Sequence, residues 1–249
     1  MDMDGGSSTE SCGVNGCGQS GVYGTLGKAA ATNIPGSRQW ASSWTDANGR
    51  FWLFGGYGSD ASGNQGVLND LWEFNPTTNQ WAWMGGSSTV PSSSLGAPGV
   101  YGTFGAPAPG NFPGGRYYAT TWTDTNGNLW LFGGNGSDAS GNPGDLNDLW
   151  EFNPTTNEWA WMSGNELLPK TALGWSGVYG SLDVASPSNA PGGRTTGLSW
   201  TDESGHLWLF GGNGYDQVGT MGNLNDLWVV VQFEISRGCI RPSCRGQTR

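Results

Sequence analysis

The heptapeptide RFWLFGG at residues 50–56 recurs as NLWLFGG at residues 128–134 and as HLWLFGG at residues 206–212. The offset is 78 residues both times (128 − 50 and 206 − 128), so no insertion or deletion separates the copies. Residues 38–84 and 116–162 differ at 11 of 47 positions. A fixed period of this kind indicates an array of one supersecondary unit, and it decides the fold class.

Each repeat contains four apolar segments separated by turn residues. Asn48-Gly49, between the first two segments, is the strongest short hairpin signal, because both residues tolerate positive φ. The second segment is apolar throughout, which is expected of a strand covered on both faces. We predict four antiparallel strands per repeat, with a loop over residues 57–67. In the first repeat the strands are Arg38–Trp44, Phe51–Phe54, Leu68–Phe74 and Trp81–Met84.

The composition argues against several broad classes of protein. The 45 glycines and 13 prolines interrupt the chain too often for long helices. Disorder is the competing interpretation of the Gly- and Ser-rich loops, but the 15 tryptophans fall in regular apolar clusters that can be buried. The net charge of −10 disfavours nucleic acid and anionic membranes as partners. No apolar run has the roughly 18 residues that a membrane-spanning helix needs.

Four antiparallel strands with both faces covered describe a propeller blade. Gly55-Gly56, followed by Phe74 and Trp81, resembles the kelch signature, which begins again at Gly211-Gly212. The second repeat carries the same residues as Gly133-Gly134, Phe152 and Trp159. The chain is similar to the long-repeat bacterial kelch proteins that are grouped with galactose-oxidase-like propellers. The resemblance implies an all-β, kelch-type β-propeller with three four-stranded blades, of which the last is incomplete.

The repeats divide the chain into five predicted segments. Residues 3–9 resemble the end of a fourth strand, and the repeat gives way to a basic tail after Trp228. We therefore expect a fragment of a longer propeller, whose open blade edges favour self-association. The first segment, residues 1–20, is irregular. The three repeats are residues 21–98, 99–176 and 177–228, and the last of them is incomplete. Residues 229–249 form a divergent tail.

Four cysteines lie near the ends as two pairs, Cys12/Cys17 and Cys239/Cys244, each with the spacing C-x4-C. This spacing is wider than a four-thiolate zinc site usually has, and disulfides or incidental thiols are the alternatives. The acidic, lysine-poor composition favours an extracellular or cell-surface location. Residues 1–6 lack the basic start and apolar core of a signal peptide.

A galactose-oxidase-like enzyme is the alternative that the resemblance raises. Its copper site would need two histidines, two tyrosines and a cysteine–tyrosine crosslink, but the chain has one histidine, His206, and no cysteine within the repeats. A Ser-His-Asp triad would need the same histidine. Acidic residues recur at equivalent positions, which is typical of a structural role and not of one catalytic pair for glycoside hydrolysis. We therefore expect no enzyme activity and no cofactor.

Two acidic loops offer oxygen atoms that could attract calcium. They are the turn at Asp46-x-Asn48-Gly49 and the loop at residues 58–64. The first lacks the downstream bidentate Glu of a calcium loop, so a hairpin turn is the favoured interpretation, and calcium is the minor alternative for the second.

Three arginines open the innermost strands and are candidates to line a central channel and contact a ligand. The competing interpretation is a structural ion pair with a repeated acid, which is favoured because a buried guanidinium needs a partner. The arginines are Arg38, Arg116 and Arg194, and the acids are Asp70, Asp148 and Asp226.

Aromatic residues complete the set of ligand-binding candidates. Trp40 and Trp175 do not recur between repeats, which makes them better surface candidates than the repeated core tryptophans. Tyr101 and Tyr179 lie in the Gly-, Ser- and Pro-rich linkers that precede the second and third repeats.

Consecutive strands of a blade run in opposite directions. The loop that follows the second strand of each blade and the long linkers between blades therefore lie on one face, and the tight turns lie on the other. Loops held by rigid blades are where propellers bind, so the long-loop face is the predicted binding face. We predict a binding scaffold for an unidentified protein or glycan. The alternatives are the carbohydrate-active enzyme above and a structural array without a ligand.

Overall fold

The computed structural model describes residues 18–93, 95–231 and 234–237. In this part of the chain every regular secondary-structure element is a β-strand, and no helix is long and apolar enough to cross a membrane. Both cysteine pairs, the resemblance of residues 3–9 to a strand end, and the C-terminal arginines Arg241, Arg245 and Arg249 lie outside the described residues.

Seventeen strands follow one another in the described residues. They are β1 (Arg38–Gln39), β2 (Ser42–Thr45), β3 (Phe51–Ser59), β4 (Gln65–Asn75), β5 (Gln80–Gly85), β6 (Arg116–Tyr117), β7 (Thr120–Thr123), β8 (Leu129–Phe132), β9 (Asn135–Ser137), β10 (Pro143–Asp145), β11 (Leu149–Asn153), β12 (Glu158–Ser163), β13 (Arg194–Thr195), β14 (Leu198–Thr201), β15 (Leu207–Tyr215), β16 (Met221–Val231) and β17 (Glu234–Arg237).

Each repeat forms an antiparallel blade in which strand order follows chain order. In blade 1, β1 and β2 both pair with β3, which pairs with β4, which pairs with β5. Blade 3 has the same order, from β13 and β14 through β15 and β16 to β17. In blade 2 the same positions form two short sheets, β6-β9-β10 and β7-β8-β11-β12. The all-β propeller architecture expected from the sequence is therefore confirmed.

The third blade differs from the expectation that it is incomplete. After Trp228 the sequence leaves the repeat, but Val229, Val230 and Val231 are β-branched and extend β16. Glu234–Arg237 then pairs antiparallel with it, with Val230 opposite Ile235. The divergent segment thus supplies a fourth strand that the repeat pattern could not predict.

The strands are longer and the loops shorter than predicted. The expected loop over residues 57–67 is only a tight turn between Ser59 and Gln65, because β3 continues through Gly55-Gly56 with a register shift. Asp60 closes this turn by accepting hydrogen bonds from the backbone N–H groups of Ser62 and Asn64, both at 2.8 Å.

The first strands of successive blades lie side by side, which identifies them as the innermost strands. Thr121 Oγ1 donates to the Ser43 carbonyl at 3.4 Å, and Ser199 Oγ donates to the Thr121 carbonyl at 2.8 Å. Tryptophan side chains add a second series: Trp44 Nε1 donates to the Trp130 carbonyl at 3.0 Å, and Trp122 Nε1 to that of Trp208 at 2.7 Å. Hydrogen bonds therefore join the blades near the axis.

Two apolar clusters fill the space between blades. Trp44, Trp52 and Phe54 of blade 1 pack in the first cluster with Leu129 and Phe152 of blade 2. The second cluster repeats this arrangement between blades 2 and 3, with Trp122, Trp130, Phe132, Leu207, Leu209 and Trp228. Large aromatic side chains are prominent in both clusters, and their burial between the blades stabilises the fold.

The linkers are docked segments rather than free loops. In the linker before blade 2, Val100 pairs with Phe112, and Ala108 forms a bridge to Trp159 in β12. Gly105 N–H donates to the Trp161 carbonyl at 2.8 Å. The linker hairpin therefore covers the outermost strand of the blade that follows it, and that edge is closed to further strand pairing.

Candidate functional site

An arginine–aspartate pair lies at the centre of every blade. In blade 2, Arg116 contacts Asp148 through two parallel hydrogen bonds, from Nη1 at 2.6 Å and from Nη2 at 2.8 Å. Tyr101 Oη and Trp150 Nε1 also donate to Asp148 Oδ2, at 2.6 and 2.7 Å. Blade 1 repeats the cluster with Tyr23, Arg38, Asp70 and Trp72, and blade 3 repeats it with Tyr179, Arg194, Asp226 and Trp228.

These clusters decide between the two interpretations of the arginines. The side chains of Arg116 and Asp148 are wholly buried, and Arg116 also donates to the carbonyls of Gly114 and Gly133. The predicted pairs with Asp70, Asp148 and Asp226 are confirmed. Burial removes the arginines from contact with solvent, so the structure does not support Arg38, Arg116 and Arg194 as ligand-binding residues. Tyr101 and Tyr179 belong to the same structural clusters.

The tyrosines of these clusters make stability depend on alkaline pH. Burial, and then the charge of Asp148, raises the pKa of Tyr101 well above its ordinary value; burial and the hydrogen bond to Asp226 raise the pKa of Tyr179 to about 12. Unfolded tyrosine titrates near about 10. Above that pH the folded state binds more protons than the unfolded state, so the free energy of unfolding falls as the pH rises.

We expect urea unfolding to show a decline in stability that begins above about pH 10. In Tyr101→Phe the decline should be shallower, because one of the titrating groups is gone. The same slope in Tyr101→Phe and in the unchanged chain would contradict the assignment to Tyr101.

The acidic turns are closed by N–H donors and do not present free oxygens. Asp46 accepts hydrogen bonds from the backbone N–H groups of Asn48 and Arg50 and from Trp52 Nε1. Asp60 also accepts one from the Val90 N–H at 2.9 Å, so both carboxylates serve the turns. Within the described residues no three His, Cys, Asp or Glu side chains converge as a metal site.

His206 lies in the hairpin turn of blade 3, as the sequence predicts. Its Nδ1 is 3.0 Å from Asp202 Oδ2. Burial alone would raise the pKa of Asp202, but hydrogen bonds from Trp208 and His206 lower it to about 2. The histidine therefore belongs to the same kind of turn that Asp46 closes in blade 1.

Exposed and half-buried aromatic rings lie together at one place on the innermost strands. Trp40 stacks on Tyr118, with ring centroids 4.7 Å apart and an interplanar angle of 29°, and lies 5.7 Å from Tyr117. Trp40 is 44% exposed, and Tyr57 beside it is also exposed. We call Trp40, Tyr57, Tyr117 and Tyr118 the aromatic cluster.

The backbone holds the aromatic cluster in an unusual conformation. Trp40 and Tyr118 have φ values of 59° and 58°, and Thr196, the equivalent residue of blade 3, has 57°. Side chains other than glycine rarely adopt this left-handed region. Trp40 and Tyr118 each turn the carbonyl toward the next blade, where Tyr118 N–H donates to the Trp40 carbonyl and Thr196 N–H donates to the Tyr118 carbonyl, both at 3.0 Å. The inter-blade hydrogen bonds offset the strain and fix the rings.

Polar groups lie beside the rings. Tyr117 pairs across the sheet with Asn135, whose amide donates to Asp145 Oδ1 at 2.8 Å. Burial raises the pKa of Asp145, and burial followed by the charge of Asp145 raises the pKa of Tyr117. The charges of Tyr118 and Tyr57 also raise the pKa of Tyr117, after burial and the charge of Asp145, because both hydroxyls lie near it. Stacking faces and hydrogen-bonding groups therefore occur together here.

Trp175 lies apart from this cluster, in the linker before blade 3. It is exposed, and its Nε1 donates to the Leu167 carbonyl at 2.6 Å. Residues 168–173 of the same linker and Asn142-Pro143 line an open cleft of about 570 Å³. The two non-recurring tryptophans that the sequence singles out are thus both at the surface, but they do not form one site.

Residues 42–88 match the family model for the Kelch motif. The first repeat therefore contains a Kelch motif, as the sequence predicts. The constant 78-residue period carries the same motif residues into the second repeat and into the start of the third.

The solved structure of YjhT is similar over 83% of this chain and 72% of the YjhT chain, with 15% sequence identity and a TM-score of 0.41. No curated protein matches the chain.

Sequence reasoning missed Tyr57, Tyr117, Tyr118, Asn135 and Asp145. A signal for them exists, because these positions vary while the kelch scaffold around them stays constant. Three positions lie side by side on adjacent strands and change together: Gln39, Tyr57 and Val67 in blade 1; Tyr117, Asn135 and Asp145 in blade 2; and Thr195, Asn213 and Asn223 in blade 3. In a repeat scaffold, a group of neighbouring positions that changes from blade to blade marks an area that is not held constant by the fold.

Proposed function

We propose that this kelch-repeat chain is a binding module, without enzyme activity, whose aromatic cluster takes a glycan. The observation that carries the proposal is the exposed ring of Trp40, which stacks on the half-buried ring of Tyr118. Sugar rings present C–H groups of partial positive charge, which pack favourably on the electron-rich faces of aromatic rings. The site is thus suited to a ligand that is apolar on one side and rich in hydroxyls at its edge.

The polar neighbours support the same ligand class. The tyrosine hydroxyls can both donate and accept hydrogen bonds, and the buried Asp145 holds the Asn135 amide beside them. The chain carries 20 acidic and only 10 basic residues, which favours a neutral glycan over an anionic one. Because the rings are fixed by inter-blade hydrogen bonds, little conformational entropy is lost on binding.

The cluster lies on the innermost strands and toward the side of the linkers, close to Arg38 and opposite the end that carries the hairpin turn at Asn48-Gly49. This placement supports the predicted binding side, although the linkers themselves cover the outer strands. An extracellular or cell-surface location would suit a glycan ligand, and we retain it as part of the proposal.

A glycan array followed by calorimetry on the best ligand tests the function. Trp40→Gly removes the stacking ring at a position where φ is already positive, so the backbone accommodates the change. We expect the affinity to fall at least about tenfold, or about 1.4 kcal/mol.

The matched control is Thr196→Gly, which makes the same backbone change in blade 3, where no aromatic ring is lost. It should leave the affinity unchanged. Equal affinity in Trp40→Gly and the unchanged chain would move the site elsewhere. A folded chain that binds no glycan would refute the glycan proposal in favour of a protein ligand or a structural array.

A further inference from the structure

The interfaces between consecutive blades are head-to-tail. Each blade presents one face to the blade that follows it, which we call the forward face, and another to the blade that precedes it, the backward face. Trp44, Trp52 and Phe54 lie on the forward face of blade 1, and Leu129 and Phe152 lie on the backward face of blade 2. Because the two faces differ, every interface joins one forward face to one backward face.

Two faces have no blade against them within the described residues. Trp200, on the forward face of blade 3, is 45% exposed, whereas its equivalents Trp44 and Trp122 are 6% and 5% exposed. On the backward face of blade 1, Phe51 is 45% exposed, whereas its equivalents Leu129 and Leu207 are 0% and 4% exposed. Large apolar side chains are thus uncovered where the repeat covers them elsewhere.

The inter-blade hydrogen bonds stop at the same two faces. Trp44 Nε1 donates to the Trp130 carbonyl, and Trp122 Nε1 donates to the Trp208 carbonyl. The next donor in this series would be Trp200 Nε1. The acceptor equivalent to the carbonyls of Trp130 and Trp208 is the Trp52 carbonyl. Within the part of the chain that the structure describes, neither atom has such a bond to another blade. Among the described residues, Trp200 Nε1 on the forward face of blade 3 therefore lacks its acceptor, and the Trp52 carbonyl on the backward face of blade 1 lacks its donor.

The hydroxyl series ends in the same way. Thr123 Oγ1 donates to the Thr45 carbonyl at 3.3 Å, and Thr201 Oγ1 donates to the Thr123 carbonyl at 3.0 Å. Continuing the series requires Thr45 Oγ1 as donor and the Thr201 carbonyl as acceptor. These groups lie at opposite ends of the three-blade stack, on the backward face of blade 1 and the forward face of blade 3.

We propose that the forward face of blade 3 binds the backward face of blade 1 of a second copy of this chain. The occupant is a second copy because the missing surface is one that this chain itself carries, in the same register as its two internal interfaces. Trp200 would donate to the Trp52 carbonyl of the other copy, as Trp44 does to Trp130. Phe74 would pack on Trp208 as Phe152 packs on Trp52, with ring centroids 5.0 Å apart in the observed pair.

Both copies use both faces, so two chains form a closed ring of six blades. Propellers of roughly four to eight blades are stable closed structures, and closure removes the exposed faces that an open stack leaves. The interface is independent of the glycan proposal, since it involves neither Trp40 nor its neighbours.

Light scattering after size exclusion on the full chain tests the proposal, using about 100 µM protein so that interfaces of micromolar affinity are populated. We expect twice the chain mass of 26.2 kDa. Phe51→Glu and Trp200→Glu, which alter one face each, should each shift the protein to the monomer mass. Both residues are already exposed, so folding is expected to survive, and circular dichroism checks it.

Mixing the two variants gives the decisive result. A Phe51→Glu copy keeps its blade 3 face and a Trp200→Glu copy keeps its blade 1 face, so the mixture should recover a dimer through one intact interface. Val218→Glu, at an exposed position away from both faces, is the control and should remain dimeric. A monomeric unchanged chain, a dimer that persists in either variant, or a mixture that stays monomeric would each overturn the proposal.

Discussion

Replacing Asp148 with alanine is expected to lower the free energy of unfolding by at least about 3–5 kcal/mol, because it leaves the buried Arg116 guanidinium without its counter-charge. The side chains of both residues are fully buried, so water cannot take over the role of the carboxylate. Tyr101 and Trp150 would lose their acceptor at the same time. A loss of this size approaches the whole stability of a typical domain, about 5–15 kcal/mol.

Urea unfolding followed by tryptophan fluorescence measures the loss. Asp148→Asn should be almost as costly, because its amide group has to direct N–H donors toward a site already surrounded by donors. The control is Glu73→Ala, which removes an ion pair of the same chemistry, with Arg50 at 2.8 Å, from a position where the arginine is 44% exposed. That change should cost less than about 1 kcal/mol. Similar losses in the buried and the surface pair would contradict the argument.

The sequence predicts those features of the fold that depend on residues close together in the chain or on positions that recur in every repeat. Asn48-Gly49 and its equivalents form the expected hairpin turns, since positive φ at Gly49 is a local requirement. The pairing of Arg116 with Asp148 is also predictable, because a repeated buried charge has few partners that repeat with it. The fold class follows from these features and from the period of 78 residues.

Contacts between repeats are harder to predict. The interruption of the innermost strand at Trp40 depends on a hydrogen bond to Tyr118, which lies 78 residues further along (118 − 40). No local pattern specifies positive φ for a tryptophan, a tyrosine and a threonine at equivalent positions. The linkers were expected to present free loops, yet their hairpins lie on the outer strands, because Tyr101 packs against Trp150 and Trp161.

The candidate site was only partly predictable, and for the same reason. Trp40 could be recognised as a surface residue because it does not recur. Its partner Tyr118 lies in the next blade, and only the packing of two blades brings the rings together. Strand β17 is a different case: the sequence after Trp228 leaves the repeat, so a prediction based on periodicity ends where the periodicity ends.

The second large effect is expected for Gly133→Ala, in the double glycine of the kelch motif. Gly133 has φ +63°, and an added Cβ would lie 2.7 Å from the Arg194 carbonyl oxygen and 2.9 Å from that of Leu146. The conformational penalty of about 1–2 kcal/mol adds to an overpacking penalty of about 1–3 kcal/mol, because both contacts are to backbone that cannot rotate away. We expect a total loss of about 2–5 kcal/mol in the free energy of unfolding.

Three other glycines separate the contributions to this loss. Gly49 has φ +74° with nothing within 4 Å of an added Cβ, so Gly49→Ala measures the conformational penalty alone. Gly110 has neither the positive φ nor a contact, and Gly110→Ala should be neutral or slightly stabilising. Gly211 has φ +62° and the contact to its own blade, through Leu224, but within one chain it has no contact to a following blade, so the two glycines are compared in the monomeric Trp200→Glu variant. If Gly133→Ala costs no more than Gly211→Ala, the double glycine serves only the turn within its blade. A larger cost at Gly133 means that it also lets the next blade approach, which ties the kelch motif directly to the packing between blades.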